Sequence, residues 1–324
     1  MYLVTGATGL LGNSVVRELL QRGQGVRVYV RGQAPRPELA GLPVEIVRGE
    51  LNDAAALSQA AVGCRAVIHS AAMIHIGYGR LDEARRVNVD GTRAVAEACR
   101  NAGCRLLYVS TVDTLPAAAS PDVPLSEDST GLPKTVCTYV VSKTEAEKVV
   151  IDACGGGLDA VILHPGFMLG PYDWKPSSGA MLRAVYRAPV LIVPRGTASV
   201  CDARDVSQAI VQAADRGRSG HHYILAGINI GYPELCRRIL RVMGRSKPVV
   251  RMGPVVPAAA RVVDWWNRTT QRREGLFNGA AIAMGSLHHA YDSSKAHQEL
   301  EYRNRPLDET LADAWQWLHT HNIS

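Results

Sequence analysis

A glycine-rich loop at the start of the chain constrains the fold more than any other feature. Residues 5–12 read TGATGLLG, after one short apolar run and before a helical pattern. Glycines here permit the tight turn and close backbone approach that a pyrophosphate needs, and a helix N-terminus adds positive potential. Strand, loop and helix in this order predict a dinucleotide site. Its predicted contacts are Gly6, Thr8, Gly9, Leu10, Leu11 and Gly12.

A second group of residues predicts acid–base chemistry. Tyr139 and Lys143 are four residues apart, which places them on one face of a predicted helix. A phenol titrates near ~10 in water, and a nearby ammonium or oxidised nicotinamide would favour the phenolate. Upstream, an apolar run ends in the hydroxyls of Ser110 and Thr111. A hydroxyl donor, a phenol and an ammonium therefore share one chain with the dinucleotide loop.

These motifs resemble those of the extended short-chain dehydrogenase/reductases, the NAD-dependent epimerase/dehydratase superfamily. Further stretches match it in order and spacing, namely VNVDGT (87–92), HPG (164–166), DARDV (202–206), DSSKA (292–296) and RPL (305–307). Within the superfamily, the chain is most similar to the branch of dihydroflavonol reductases, hydroxysteroid dehydrogenases and hopanoid-associated epimerase-like proteins.

Short apolar runs alternate with helical periodicity, which predicts an α/β fold with a Rossmann-type doubly wound parallel sheet. The expected strands are 2–5, 26–30, 44–47, 66–69, 105–110 and 159–163, and the expected helices are 10–22, 53–61, 82–102 and 136–153. The resemblance implies an NAD(P)-binding domain of residues 1–165 with about 201–228. It also implies a smaller, mostly helical substrate-binding domain of residues 166–200 with about 229–324.

The composition argues against disulfides, a metal site and a membrane span. The seven cysteines are scattered without a CxxC pair, which predicts buried thiols in a reducing compartment. The ten histidines lack metal-ligand spacing, so no metal is expected. No apolar run reaches the ~18 residues of a membrane span, and no secretory leader pattern is visible. We therefore expect a cytoplasmic protein without a transmembrane segment.

The net charge of +6 is unevenly distributed. Residues 237–273 contain nine arginines and Lys247 against one acid, Asp264, and they include Trp265 and Trp266. We expect a solvated helix face with the tryptophans packed inward. Peripheral contact of this stretch with an anionic membrane surface is the alternative. No nucleic-acid-binding motif accompanies the charge, so no nucleic-acid partner is predicted.

The end of the second predicted strand bears on cofactor choice. Arg31 lies nineteen residues after Gly12, where a carboxylate would bind the adenosine ribose of NAD. An arginine suits a 2′-phosphate, and Arg36 follows closely, so we expect NADP(H) rather than NAD(H). The alternative is that Arg31 stacks over adenine or points to solvent. The other cofactor contacts implied by the resemblance are Glu50, Leu51, Ala71, Tyr139, Lys143 and Pro165.

The resemblance also implies catalytic roles for the tyrosine, the lysine and one of the two hydroxyls. Tyr139 would be the general acid in reduction and the base in oxidation, and Lys143 would hold the nicotinamide ribose and lower the phenol pKa. Thr111 would bind the substrate carbonyl, with Ser110 as the rival. The alternative for Tyr139 and Lys143 is a surface tyrosine with an ion-pairing lysine. Dehydratase relatives carry an acid–base pair near Asp113, but Val112 occupies one of those two places.

The expected function is an NADP(H)-dependent oxidoreductase that interconverts a ketone or aldehyde and an alcohol on a medium-sized, largely apolar small molecule. A nucleotide-sugar epimerase with tightly bound NAD is one alternative, but residues 196–202 lack the arginine and aromatic that such enzymes usually show. A non-catalytic NADP(H) sensor is the other. Family members often dimerise through the helices corresponding to 82–102 and 136–153, so a homodimer is an expectation.

The apolar substrate would be contacted by aromatic and aliphatic residues of the second domain. The candidates are Phe167, Met168, Leu169, Tyr172, Trp174, Met181, Leu182, Tyr186, Trp265 and Trp266. Several of them are expected to be core instead, because apolar residues in a helical stretch usually are.

Overall fold

A seven-stranded parallel sheet forms the centre of the computed structural model, which describes residues 1–253 and 278–321. Its strands are β1 (Tyr2–Thr5), β2 (Val26–Val30), β3 (Glu45–Arg48), β4 (Ala66–His69), β5 (Arg105–Val109), β6 (Ala160–Pro165) and β10 (His222–Leu225). They lie in the order β10-β6-β5-β4-β1-β2-β3. The order reverses direction between β1 and β4, which is where doubly wound sheets bind ligands.

Helices cover both faces of this sheet. In chain order they are α1 (Leu10–Gln21), α2 (Ala54–Ala61), α3 (Leu81–Arg85), α4 (Gly91–Ala102), α5 (Thr138–Gly155) and α7 (Ala203–Arg216). α1 packs beside α7, and α2, α4 and α5 pack together. Val4 and Leu107 belong to the core under α1 and α7, whereas Leu3 and Leu106 belong to the core under α2, α4 and α5. Burial on both faces explains the continuous apolar strands, and the predicted fold class is confirmed.

The predicted helix over 82–102 is interrupted in the structure. A π-helical turn, Arg86–Asp90, separates α3 from α4. Such widened turns are frequent at functional sites, and this one contains the buried Asn88. The other predicted helices and strands of the sheet agree with the structure to within two residues.

Two smaller sheets accompany the large one in the part of the chain that the structure describes. The three-stranded sheet contains β7 (Phe167–Leu169), β9 (Thr197–Asp202) and β11 (Ile228–Gly231), and the two-stranded sheet contains β8 (Leu191–Val193) and β12 (Val249–Arg251). These short strands were not predicted, because their sequences lack clear periodicity. They share a core with α6 (Gly179–Arg187), α8 (Tyr232–Val242) and the helix Leu307–Thr320.

The C-terminal part of the chain contributes to both cores. Ala296, Leu300 and Tyr302 are buried in the core of the large sheet, although they lie in the range predicted for the substrate-binding domain. Leu311 and Leu318 are buried in the second core. The division into two domains stays a prediction, and these contacts favour moving residues 296–302 into the first.

None of the helices within residues 1–253 and 278–321 is long and apolar enough to cross a membrane. Of the basic stretch 237–273, the part from residue 254 onward, with Trp265 and Trp266, lies outside the described residues.

Arg305 links the C-terminal segment to α7. Its guanidinium donates to Asp205 Oδ1 from Nε at 2.8 Å and from Nη2 at 2.7 Å. Asp205 is almost fully buried. Because removing one partner leaves a buried charge, Arg305→Leu is expected to lower the free energy of unfolding by about 3 kcal/mol, as seen by urea denaturation.

Arg93→Leu is the matched control for this prediction, since Arg93 pairs with Asp90 on the exposed surface of α4. Loss of that pair is expected to change stability by less than about 1 kcal/mol. Equal effects of the two substitutions would contradict the role given to Arg305.

Candidate active site

The loop between β1 and α1 requires glycine at two positions. Gly6 has a φ of +74°, and a Cβ on it would lie 2.6 Å from the Ala71 nitrogen. A Cβ on Gly12 would lie 2.1 Å from the Gly6 carbonyl oxygen. The loop therefore packs its backbone directly against itself and against the segment after β4, with no space for side chains.

The third glycine leaves the helix N-terminus open. Gly9 is the N-cap of α1, is exposed, and provides no side chain to cap the first turn. A Cβ on Gly9 would meet only the Gly6 oxygen, at 3.5 Å. Leu10 and Leu11 are buried beneath the loop, and Thr8 is partly exposed at its rim. Free amide groups and unobstructed space fit the pyrophosphate of a dinucleotide.

Three arginines converge at the end of β2. Arg31 is exposed, and its carbonyl oxygen accepts a hydrogen bond from Arg36 Nη2. Arg48, at the end of β3, donates to the Gly32 oxygen at 2.7 Å. None of the three forms an ion pair within the described ranges, and Arg36 Nε is buried without a hydrogen-bond partner there. This corner therefore carries uncompensated positive charge.

Glu50 and Leu51, two of the predicted cofactor contacts, lie nearby. The Glu50 side chain is exposed, while its carbonyl oxygen accepts a hydrogen bond from the Tyr29 hydroxyl at 3.1 Å. Leu51 is partly buried and packs so closely on Gly91 that a Cβ there would lie 2.6 Å from Leu51 Cδ2. Contacts with Tyr29 and Gly91 thus hold the backbone of Glu50 and Leu51 in place, and the Glu50 carboxylate is exposed to solvent.

The candidate catalytic side chains come from two elements. Thr111 is the second residue after β5, and Tyr139 lies in the first turn of α5. Burial and the charge of Asp113 raise the pKa of the Tyr139 phenol above its usual value, although the neighbouring Thr111 hydroxyl lowers it. The phenolate favoured in the sequence analysis is therefore opposed by the protein, and Lys143 does not offset this.

Lys143 is buried one helical turn after Tyr139. Its ammonium donates to the Tyr108 hydroxyl at 2.9 Å and to the Val109 oxygen at 2.7 Å. Burial lowers the pKa of Lys143 to about 7, although the charge of Glu147 raises it. Both protonation states of the amine are therefore accessible near neutral pH.

Ser110 and Thr111 point to different partners. The Ser110 hydroxyl donates to Glu147 Oε2, and the Thr114 hydroxyl donates to the same oxygen at 2.9 Å. Glu147 lies on α5 one turn beyond Lys143 and is buried. Its carboxylate thus fastens the turn after β5 to the helix that carries Tyr139, and it accepts the hydroxyl hydrogen of Ser110.

His164 and His222 extend the hydrogen-bond network of Glu147 and the turn after β5. His164 Nδ1 donates to the Thr111 oxygen at 3.1 Å, and His164 Nε2 lies 2.9 Å from His222 Nδ1. Glu147, His164 and His222 offer one atom each within 4.8 Å of one another, the spacing of a metal-ligand group. Burial lowers the pKa of His222 to about 4, so its ring is neutral and donates to His164. These hydrogen bonds satisfy the ring nitrogens that face each other.

Asn88 fastens α5 to the segment after β4. Its amide nitrogen donates to the Ser142 hydroxyl at 2.8 Å and to the Met73 oxygen at 3.0 Å. Its amide oxygen accepts from the Met73 nitrogen at 2.7 Å. Because Ser142 precedes Lys143, this contact helps to hold the lysine in place.

Comparison with known proteins agrees with this geometry. The model of the NAD-dependent epimerase/dehydratase family matches residues 2–230, more than half of the chain. The chain belongs to this family. The expected resemblance to extended short-chain dehydrogenase/reductases is therefore confirmed, as is the expectation of an NAD(P)-dependent enzyme.

Individual relatives cover most of this family member. Sterol demethylase protein B of Methylococcus capsulatus is 31% identical over 97% of each chain. Ceramide reductase of Caulobacter vibrioides is 32% identical over 82% of this chain and 78% of its own. The crystal structure of a nucleoside-diphosphate-sugar epimerase from Pseudomonas aeruginosa superposes with a TM-score of 0.81 at 27% identity, over 99% and 97% of the two chains.

Several residues of this dehydrogenase/reductase site were not singled out from sequence. Glu147 lies four residues after Lys143, so the spacing that selected Lys143 also indicates Glu147. Tyr108 and His164 were not predicted as part of the site, because contacts between different strands and helices leave no local signal. Pro165, a predicted cofactor contact, ends β6 and pairs with Leu225 of β10.

The predicted apolar substrate contacts fall mostly in the second core. Leu169 and Leu182 are fully buried there, and Phe167, Tyr172, Trp174 and Met181 pack against it. Met168 packs against the core of the large sheet, and Tyr186 lies against Trp315. Both of these leucine side chains are enclosed by protein, so Leu169 and Leu182 are among the members of the set that belong to the core.

The glycine loop yields a test that separates folding from binding. Gly9→Ala is expected to leave the melting temperature unchanged, since the added methyl meets no close atom, and to weaken binding of NADPH or NADH by about tenfold or more by blocking the open amide groups. Calorimetric titration measures both dissociation constants.

Gly12→Ala is the control, since its methyl would clash with the Gly6 oxygen and is expected to destabilise the fold itself. Unchanged dinucleotide binding in the stable Gly9→Ala variant would contradict the assigned site.

Proposed function

We propose that this chain is an NADP(H)-dependent oxidoreductase that interconverts a ketone or aldehyde and an alcohol on a medium-sized, largely apolar substrate. The placement of Thr111 beside the Tyr139 phenol, in a turn that Glu147 binds to α5, carries the proposal. A hydrogen-bond donor, Thr111, and a proton donor, Tyr139, thus lie next to each other beside the carboxyl ends of β5 and β6. The names of the two curated relatives refer to a sterol and to ceramide, which supports an apolar substrate.

The nicotinamide ring, when bound, supplies or accepts a hydride. Thr111 binds and orients the carbonyl oxygen of the substrate. Tyr139 donates its phenolic proton to that oxygen in reduction and accepts a proton in oxidation. The raised pKa of Tyr139 keeps the phenol protonated at neutral pH, which favours its role as the acid in reduction.

Lys143, one helical turn after Tyr139, can carry a positive charge or exchange a proton. Its pKa of about 7 allows the amine to gain or release a proton near neutral pH. The carboxylate of Glu147 keeps part of the population protonated, and the bonds from Lys143 to Tyr108 and Val109 fix its position. When the dinucleotide is bound, Lys143 and Tyr139 also hold the nicotinamide ribose.

The arginine corner supports NADP(H) over NAD(H). Arg31, Arg36 and Arg48 carry three positive charges without a carboxylate partner in the described part of the chain. A ribose 2′-phosphate supplies the missing negative charge, whereas the ribose hydroxyl of NAD does not. The residues proposed to hold the dinucleotide are Gly6, Thr8, Gly9, Leu10, Leu11, Gly12, Arg31, Glu50, Leu51, Ala71, Tyr139, Lys143 and Pro165.

The epimerase alternative receives less support. Residues 197–202, where such enzymes usually place an arginine and an aromatic, form the buried strand β9 without either residue type. The homodimer through α4 and α5 stays a prediction.

Substitutions at the carbonyl site test the proposed chemistry. Tyr139→Phe is expected to lower kcat by about 10²–10⁴-fold, since the proton donor is lost. Thr111→Val is expected to lower kcat by about 10²-fold through loss of one donor. NADPH oxidation with a ketone panel measures the rates, and NADPH titration checks that the cofactor still binds.

Ser110→Ala is the matched control, because Ser110 donates to Glu147 rather than towards Tyr139. A smaller rate loss than in Thr111→Val is expected. The reverse ranking would transfer the carbonyl-binding role to Ser110, and full activity of Tyr139→Phe would overturn the mechanism.

Cofactor preference is tested at Arg31. Arg31→Leu is expected to weaken NADPH binding by about tenfold or more, the effect of losing a charged hydrogen bond, with NADH binding unchanged. Arg22→Leu, which removes an ion pair with Glu18 at the far end of α1, is the control. Equal losses for both cofactors in Arg31→Leu would argue against a phosphate contact.

A further inference from the structure

Glu147, His164 and His222 come from three different elements and meet at one point. Glu147 lies on α5, His164 lies in β6, and His222 begins β10, the edge strand of the large sheet. Each side chain offers one atom within 4.8 Å of the others. The proposed carbonyl chemistry does not use the two histidine rings. Two imidazoles and a carboxylate are ligand types that Zn²⁺ binds in proteins.

Each of the three side chains keeps an atom that a metal ion can use. His164 Nδ1 donates to the Thr111 oxygen at 3.1 Å, which leaves His164 Nε2, 2.9 Å from His222 Nδ1. Glu147 Oε1 lies 3.9 Å from that His222 nitrogen and accepts no hydrogen bond within residues 1–253 and 278–321. Atoms around a tetrahedral Zn²⁺ lie about 3.4 Å apart when the bonds are about 2.1 Å long. The two distances therefore bracket the spacing that the ion requires.

The groups behind these atoms also suit a metal site. A metal-bound histidine usually donates its other ring N–H to a carbonyl or carboxylate, and a metal-bound carboxylate usually accepts hydrogen bonds. His164 donates in this way to the Thr111 oxygen, and Glu147 Oε2 accepts from the Ser110 and Thr114 hydroxyls. His164 and Glu147 are both buried, so these contacts hold the two ligands in fixed orientations.

His222 gives access from solvent, because 30% of its side chain is exposed. Its ring can turn outward and widen the gap to His164. The hydrogen that His222 Nδ1 directs at His164 must leave before an ion can enter. When that hydrogen moves to His222 Nε2, the ring stays neutral and Nδ1 becomes a free electron-pair donor.

The charges around the site restrict the kind of ion. Glu147 supplies one negative charge, whereas Lys143 lies one helical turn before it and the Lys295 ammonium donates to the His222 oxygen at 2.7 Å. Mg²⁺ and Ca²⁺ require several oxygen ligands, which this site does not provide. Zn²⁺, Co²⁺, Ni²⁺ and Cu²⁺ bind imidazole nitrogen well and depend less on carboxylates.

We propose that Glu147, His164 and His222 bind one divalent transition-metal ion such as Zn²⁺. The ligand atoms are Glu147 Oε1, His164 Nε2 and His222 Nδ1, and water completes the tetrahedron. The bound ion fastens the edge strand β10 to β6 and α5. The site goes beyond the proposed function, because no step of carbonyl reduction requires it.

Metal titration of the full chain tests the proposal. The protein is purified without a histidine tag and treated with a chelator, and Zn²⁺, Co²⁺ or Mg²⁺ is then added. Calorimetry is expected to show one Zn²⁺ ion per chain, and the melting temperature should rise with Zn²⁺ concentration. Co²⁺ should show the visible absorption of a four-coordinate ion, and Mg²⁺ should have no effect.

His222→Asn separates metal binding from folding. An asparagine amide can still donate a hydrogen bond to His164, but it lacks the ligand nitrogen. Zn²⁺ binding is expected to weaken by more than about 100-fold, because loss of an outer hydrogen bond alone costs about 10–100-fold. His221→Asn is the matched control, since His221 is also partly exposed and does not belong to the group of three. It should bind Zn²⁺ like the wild-type protein.

Nitrogen NMR of the histidine rings gives an assignment in the wild-type protein, independent of any variant. The resonances of His164 Nε2 and His222 Nδ1 should shift when Zn²⁺ binds. Unchanged resonances, the lack of a one-to-one Zn²⁺ complex, or equal Zn²⁺ affinities of His222→Asn and His221→Asn would each overturn the proposal. These measurements need no substrate, so their outcome is independent of the proposed function.

Discussion

The buried carboxylate of Glu147 is the interaction on which the candidate site depends. Tyr139, Lys143 and Glu147 follow one another at single helical turns, so α5 by itself aligns them. Thr111 belongs to a different element, and its distance from Tyr139 is set by contacts between the two. Ser110 and Thr114 both donate to Glu147, on either side of Thr111. The carboxylate therefore joins the turn after β5 to the helix, and the hydroxyl and phenol meet as a consequence.

Burial sets the electrostatics around this junction. It lowers the pKa of Lys143 to about 7 and raises that of Tyr139, so each group is shifted towards its neutral form. His69 is also neutral, because burial and the charge of Lys143 lower its pKa to about 3. Among these groups the Asp113 carboxylate stands out as an accessible charge. The site thus combines groups that burial shifts towards their neutral forms with the buried carboxylate of Glu147.

The sequence predicted most of the large sheet and much of the site. The glycine loop, the strands β1 to β6 and the pair Tyr139 and Lys143 were all indicated by short, periodic patterns. The strands β7, β8, β9, β11 and β12 were missed because their sequences lack clear periodicity. Ser110 and Thr111 could not be ranked from sequence, since adjacent residues differ only in which way their side chains point once β5, α5 and β6 are packed together.

What the sequence by itself determined is local. Glycine at positions 6 and 12 follows from backbone geometry, the tyrosine and lysine share a face because of helical spacing, and the apolar strands follow from burial on both sides of a parallel sheet. The tertiary structure alone decided that Glu147 accepts the Ser110 hydroxyl and that Glu147 and His164 secure the turn that carries Thr111. These features depend on distances between residues far apart in the chain, and only the packed fold sets those distances.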